Sequence, residues 1–399
     1  MVGMLVDEPV YLDHNATTPI DPRVAEAMTP YLMTWFGNPS SGHRHGERPR
    51  QAMAVAREQV AALIGARAPE VVFTGSGSEA NLLALRGAVL AAGRTRPHVI
   101  TQATEHPAVL ETCRALARLH GARVTTLPVD GDGLVAAAAL EAALTTDTVL
   151  VSVMAANNET GVLQPVAELA ALARARGALF HCDAAQATGK IPIDVLAWGV
   201  DLLTVVGHKM YAPKGVAALY VRDGVALEPV VYGGGQERGL RAGTENVALA
   251  VAIGAAADLA ARDFATGAPA RLRELRDDLH RRLSAALPGR VRLNGSAGRR
   301  LPNTLNVSID GVLGSDLLAA APSVAASTGS ACHSGTHTPS PVLSAMGLDA
   351  GRALGAVRLS LGRRSTGGDV ETAAAALTDA ARLLLPQQRP RKNPPIGRP

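Results

Sequence analysis

Between about residues 50 and 225, short apolar runs alternate with segments whose apolar residues recur at helical spacing. The runs lie in EVVFTGSGS, PHVITQATEH, TVLVSVMAANN, ALFHCDAAQ and DLLTVVGHK, and each ends in polar or glycine-rich residues. Continuous apolar runs of this length suit strands buried on both faces. Between them, RQAMAVAREQVAALIGA and VAELAALARARGA place apolar residues three and four apart, as a helix packed on one face requires. The alternation predicts an α/β fold, a large and mostly parallel sheet with helices on both faces. In such sheets ligands bind outside the carboxyl ends of the strands. Ser76, Ser78, Glu105, His106, Asn157, Asn158, Asp183, Gln186, His208 and Lys209 stand at those ends and are expected to converge on one crevice.

The pattern changes at DFATGAPA, residues 263–270, where glycine and proline mark a candidate domain boundary. Beyond it, RLRELRDDLHRRLSAAL reads as a helix, and LPNTLNVSIDG and GAVRLSLGR read as strands of a smaller α+β domain. No internal repeat is evident.

Composition narrows the class. The chain has 399 residues, 47% hydrophobic and 19% charged, as expected of a soluble globular protein large enough to need no disulfide staples. Cys113, Cys182 and Cys332 are an odd number without a CxxC pair, which predicts a reduced, cytoplasmic setting. MVGMLVDEPV has acids and no basic region, so it does not read as a signal peptide. The most apolar run, VALAVAIGAAA at 247–257, is too short to span a bilayer. The net charge of +4 is scattered, so neither a nucleic-acid nor a membrane partner is expected. The one basic cluster, PQQRPRKNPPIGRP, is proline-rich and reads as a disordered tail over 386–399.

The chemistry has few candidate carriers. Of 39 lysines and arginines, lysine occupies only 190, 209, 214 and 392, leaving 35 arginines. Lys209 follows the apolar LLTVV, where a desolvated amine can form a Schiff base; a surface lysine is the competing reading. Asp183 ends ALFHCD, where a carboxylate pairs with a cation or caps the helix opening at AAQATG. TGSGSEAN at 74–81 offers N–H groups and hydroxyls to an anion at a helix start, or merely a tight turn. GGGQERGLRAGTEN at 233–246 is a second glycine-rich, arginine-containing loop. Finally, STGSACHSGTHTPSP at 327–341 reads as loop and sets Cys332 beside His333 and His337. Free cysteines are usually buried, so an exposed one needs a reason. Three soft ligands could bind zinc, but no fourth ligand accompanies them and no metal is expected.

An anion loop, a strand-end Asp and a strand-end Lys, in that order on an α/β pattern, suit a pyridoxal phosphate (PLP) enzyme. Here the chain resembles the class V aminotransferase-like cysteine desulfurases and their relatives, the selenocysteine lyases. The resemblance runs from YLDHNATTP at 11–19 to RLSLGRRST at 358–366, through FGNPSSGHRHG, VVFTGSGSEAN, TEHPAV, NNETGV, HCDAAQATGK, GHKMYAPKG, GGGQERGLRAGTEN, LPNTLNVSI and GSACHS. It implies a fold-type I PLP enzyme and a homodimer. It also implies an N-terminal segment, 1–24, packing with a small domain at 263–385 against a large PLP-binding domain at 25–262.

The same resemblance implies roles. Cys332 is the nucleophile on a mobile loop, which explains its exposed setting. Lys209 holds PLP covalently, His106 stacks on its ring and moves protons, Asp183 pairs with the ring nitrogen and Gln186 with the ring hydroxyl. Gly77, Ser78 and His208 bind the phosphate, and Thr244 adds a contact across the dimer. Asn158 and Arg358 grip the substrate carboxylate, which suits a planar guanidinium. The implied reaction converts L-cysteine to L-alanine and leaves a persulfide on Cys332 for a sulfur-acceptor protein. Departures exist: Val206 stands where the family often has Ser, and His333 where bacterial desulfurases commonly have Thr or Ser. GHK after an apolar residue, GGGQER, GTEN and ACHS lean toward the lyases, which release selenium from L-selenocysteine.

Overall fold

The structure is a computed structural model that describes residues 8–329, 332–333 and 336–385, with Cys332, His333, Thr336 and His337 described in their backbone alone. The tail expected at 386–399 lies outside the described residues. The first described strand is β1 (Val10–Tyr11). The central sheet follows, with β2 (Val71–Thr74), β3 (His98–Gln102), β4 (Arg123–Leu127), β5 (Thr148–Ser152), β6 (Leu179–Asp183), β7 (Leu202–Val206) and β8 (Ala217–Val221). Their order is β2-β8-β7-β6-β5-β3-β4. Neighbours are parallel except at β8, which runs antiparallel to both β2 and β7. The five apolar runs are β2, β3, β5, β6 and β7. β4 and β8 were not separated by pattern: β4 is a partly exposed edge strand, and β8 follows β7 too closely to leave room for a helix.

Alternate residues of these strands enter two different apolar clusters. Val71, Phe73, Ile100, Leu203, Val205, Ala218 and Tyr220 face one core; Val72, Val99, Leu202, Leu219 and Val221 face the other. The period of two sends successive side chains to opposite faces, so an unbroken apolar run needs cover on both. The first core is covered by α1 (Pro22–Met33), α2 (Arg44–Ile64) and the helix Val247–Ala265. The second is covered by α3 (Gly77–Ala91) and α4 (Pro107–His120).

A third cluster belongs to a smaller sheet. β9 (Val291–Leu293), β10 (Thr304–Ile309) and β14 (Ala356–Ser360) are antiparallel in the order β14-β10-β9. The helices Ala268–Ala286 and Gly367–Leu384 supply Leu279, Leu283, Val370 and Leu377 to its core. Leu12 is buried in the same core, and β1 pairs in parallel with β11 (Val324–Ala325). The candidate boundary at 263–270 is mostly helical, broken only at Thr266 and Gly267, the latter with φ +75°.

The cysteine segment holds more regular backbone than a loop reading allows. β12 (Cys332–His333) pairs antiparallel with β13 (Thr336–His337), placing Cys332 opposite His337 in register.

The approach of α3 to β7 is tight. A Cβ on Gly77 would lie 2.6 Å from Val206 Cγ2, so only glycine admits this packing beside a buried valine. Gly77→Ala is expected to destabilise the fold by roughly 1–3 kcal/mol through overpacking, read as a lower Tm. Adding Val206→Ala is expected to restore most of the loss. A Gly77→Ala protein as stable as the parent would contradict the packing.

Candidate active site

The carboxyl ends of β2, β6 and β7 open into a cavity of about 570 Å³. Ser76, Gly77, Ser78, His106, Asn158, Asp183, Gln186, His208, Lys209 and Arg358 all line it. Two strand-end residues expected there do not: Glu105 and Asn157 turn into the protein beneath it. Glu105 accepts from the Met154 and Gln102 N–H groups at 2.6 and 2.9 Å. Asn157 donates to the Thr104 carbonyl at 3.0 Å and accepts from the Glu159 and Thr160 N–H groups at 2.9 Å. Both satisfy backbone groups that the ending strands leave unpaired.

Lys209 closes a single 3₁₀ turn, Gly207–Lys209, directly after β7. Its Nζ donates to the carbonyls of Asn15 and Ala16 at 2.5 and 2.7 Å. Burial is the main cause that lowers its pKa from 10.5 to about 8, with the Arg358 charge adding to it. His208 is lowered to about 4 by burial and by Lys209, Lys214 and Lys190, so it is neutral near pH 7.

Asp183 takes the capping role, and its second oxygen meets a neutral amide rather than a cation. Oδ1 accepts from the Ala185 N–H at 2.9 Å, capping a turn where a helix was expected. Oδ2 accepts from Asn81 Nδ2 at 2.7 Å. Asn81 in turn accepts from Thr204 Oγ1 at 2.7 Å. Thr204 Oγ1 lies 3.1 Å from His181 Nε2, and Ser152 Oγ 2.8 Å from His181 Nδ1.

His106 is the N-cap of α4: its Nδ1 accepts from the Ala108 N–H at 3.1 Å, which leaves the ring proton on Nε2. Surrounding protein is the main cause that lowers its pKa, and Lys209 lowers it too while Asp183 opposes. Arg358 donates through Nη1 to the Asn158 carbonyl at 3.1 Å and through Nη2 to Asp13 at 2.6 Å. Among the described residues its buried Nε has no partner.

The donor set fits PLP. Gly77 and Ser78 open α3, where first-turn N–H groups lack intrahelical acceptors and suit an anion. Gly77 brings that backbone close to β7, leaving no room there for a Cβ. Asp183 offers a fixed carboxylate and Lys209 a desolvated amine in the same space. Thr244 is exposed and outside this cavity. The side chains of Cys332, His333 and His337 lie outside the described residues.

Reading the strand ends missed Asn15, Asn81, Lys190 and Asp13. Asn15 and Asp13 lie in YLDHNATTP, far in sequence from every strand of the large sheet; Asn81 and Lys190 sit inside SEAN and QATGK with nothing local to single them out.

This arrangement defines a class that sequence comparison makes explicit. The aminotransferase class-V family profile matches residues 10–372, and the chain belongs to that family. It is 47% identical over 364 residues to a cysteine desulfurase of Trichormus azollae, covering 91% of this chain and 90% of the relative. Among solved structures, a NifS-like protein superposes with a TM-score of 0.86 at 36% identity, covering 94% of this chain and 99% of the other. SspA in complex with cysteine superposes with a TM-score of 0.78 at 35% identity, covering 89% and 99%. The fold is that of the PLP-dependent cysteine desulfurases, and these relatives do not favour the lyase leaning of the local motifs. Among the described residues, no helix is long and apolar enough to cross a membrane.

Only a neutral amine attacks an aldehyde, so the cofactor-free protein is expected to capture PLP at Lys209 faster as pH rises. The rate is expected to be half-maximal near about 8. Borohydride trapping and peptide mapping measure it. A rate still climbing toward the ordinary lysine value of 10.5 would contradict the desolvated site.

Proposed function

We infer that this chain is a PLP-dependent cysteine desulfurase: L-cysteine gives L-alanine, and the sulfur is left as a persulfide on Cys332 for an acceptor protein. The observation that carries the reading is one cavity lined by a desolvated lysine, a fixed carboxylate, a helix N-terminus and a buried arginine.

In this reading Lys209 holds the cofactor. Asp183, held by Asn81 and the Ala185 N–H, meets the ring nitrogen, and Gln186 meets the ring hydroxyl. The first turn of α3 and the neutral His208 receive the phosphate. When bound, PLP supplies an electron sink that weakens bonds at the amino-bearing carbon of the substrate. Asn158 and the guanidinium of Arg358 orient the substrate carboxylate. Two edges of the guanidinium are already engaged, by Asp13 and by the Asn158 carbonyl, so its plane is set before substrate arrives. His106, with Nδ1 committed to its own helix, keeps Nε2 for proton transfer. Cys332, as thiolate, takes the sulfur.

Residues 25–262 form the PLP-binding domain of this reading, with 1–24 and 263–385 forming the smaller one. Thr244, exposed and outside its own cavity, serves the site of a second copy in a homodimer working in the cytoplasm.

Two outcomes are expected. Arg358→Ala loses a charge-assisted hydrogen bond of roughly 1.5–3 kcal/mol, so KM for L-cysteine rises about 10- to 100-fold while PLP content holds. Unchanged kinetics would remove Arg358 from the site. Mixed with L-cysteine without reductant, the wild type gains sulfur on Cys332 by intact mass, and Cys332→Ala keeps PLP but forms no alanine. Turnover of L-cysteine by Cys332→Ala at the parental rate would sink the desulfurase reading.

A further inference from the structure

Lys190 is a buried lysine that the cofactor reading leaves without a task. Its Nζ donates to Gln186 Oε1 at 2.7 Å and to Asn15 Oδ1 at 3.3 Å. Neither partner is a carboxylate. Burial, then the charges of Lys209 and Arg358, push its pKa well below the ordinary lysine range. A hydrophobic side chain would fill this space at lower cost, so the amine needs another reason to be there.

The reason lies in the polarity of the two groups that hold Gln186. The Gln186 amide donates from Nε2 to the backbone carbonyl of Asn15 at 2.9 Å. A backbone carbonyl only accepts, so the amide nitrogen must face Asn15, and the Lys190 amine, which donates whether or not it is protonated, meets the amide oxygen. Between them the amide has one satisfied orientation, with its oxygen on Lys190 and its NH₂ on Asn15. An amide NH₂ carries two protons, and Asn15 takes one. The other stays available on a side chain that lines the cavity.

We propose that Lys190 is a positioning residue that locks the Gln186 amide in this orientation, so that Gln186 meets the cofactor's ring oxygen as a hydrogen-bond donor. The proposal rests on the PLP reading of the cavity. A donor stabilises the deprotonated ring oxygen; a flipped amide would present its own oxygen and favour the protonated form. Lys190 thereby sets the protonation of a group it does not touch.

The test is a UV–visible pH titration of purified holoenzyme, with borohydride reduction and peptide mapping run in parallel. Lys190→Met removes the donor and keeps an unbranched side chain. It is expected to raise the midpoint of the cofactor's spectral titration by about 0.5–1 pH unit, the size of one hydrogen bond. Gln186→Ala is expected to raise it equally, and Lys190→Met is expected to add nothing in a Gln186→Ala background. A purely structural or through-space effect of Lys190 would persist in that background, and such additivity overturns the proposal. An unshifted Lys190→Met midpoint overturns it too. Lys190→Ala carries the same expectation if the Met variant does not accumulate as folded protein. A wild-type protein with no reducible adduct on Lys209 removes the cofactor reading and the proposal together. An adduct with an unshifted Lys190→Met removes the proposal alone.

Discussion

The amine of Lys209 rests on the backbone carbonyls of Asn15 and Ala16, and the cavity is organised around this contact between a strand end and the N-terminal segment. Asn15 uses all its polar groups. Its N–H donates to Ser360 Oγ, and its carbonyl accepts from Lys209 and Gln186. Its side chain donates to the Asn158 carbonyl and Thr304 Oγ1 and accepts from Lys190 and Asn303. These partners come from the large sheet and the small one. A buried polar group left unpaired costs roughly 1–3 kcal/mol, so shifting the N-terminal segment would orphan several at once. The two sheets are therefore held in register at the cavity by polar contacts, while each keeps its own apolar core.

Charge follows from the same geometry. Lys209, Lys190 and Arg358 gather where water is scarce, with Asp183 and Asp13 as the nearby carboxylates. His208 adds no charge, because burial and the lysines keep it neutral. A desolvated, cation-rich space favours ligands carrying negative charge, and it tilts its own lysines toward the neutral amine that carbonyl chemistry requires.

Polar residues also interrupt the apolar strands for a purpose. Thr204 in β7, His181 in β6 and Ser152 in β5 link across the sheet to Asn81, which holds Asp183. A buried network of this kind is stable only when each member finds its partner, so it fixes the direction of the carboxylate at its end. The same strands carry the two apolar cores on their other positions. One sheet thus serves both as the fold's interior and as a rigid mount for the site.

The chain's local pattern determined the α/β class, five of the seven central strands and the strand ends where the cavity opens. This much is legible because burial on both faces demands unbroken apolar runs, and because a helix declares itself by spacing alone. The edge strand β4 and the reversed strand β8 were hidden, the first by its mixed exposure and the second by its closeness to β7. Lys209, Asp183 and His106 could be read as candidates because each stands directly after an apolar run. Asn15, Lys190, Asn81 and Asp13 could not, because their roles come from partners 100 or more residues away or from a burial that no neighbour in sequence signals. Which strand-end side chains enter the cavity and which turn beneath it was decided by the tertiary structure, as Glu105 and Asn157 illustrate. Sequence pattern records how much water each stretch avoids. The direction of one polar group toward another is settled only when distant segments close on each other and every buried donor must find its acceptor.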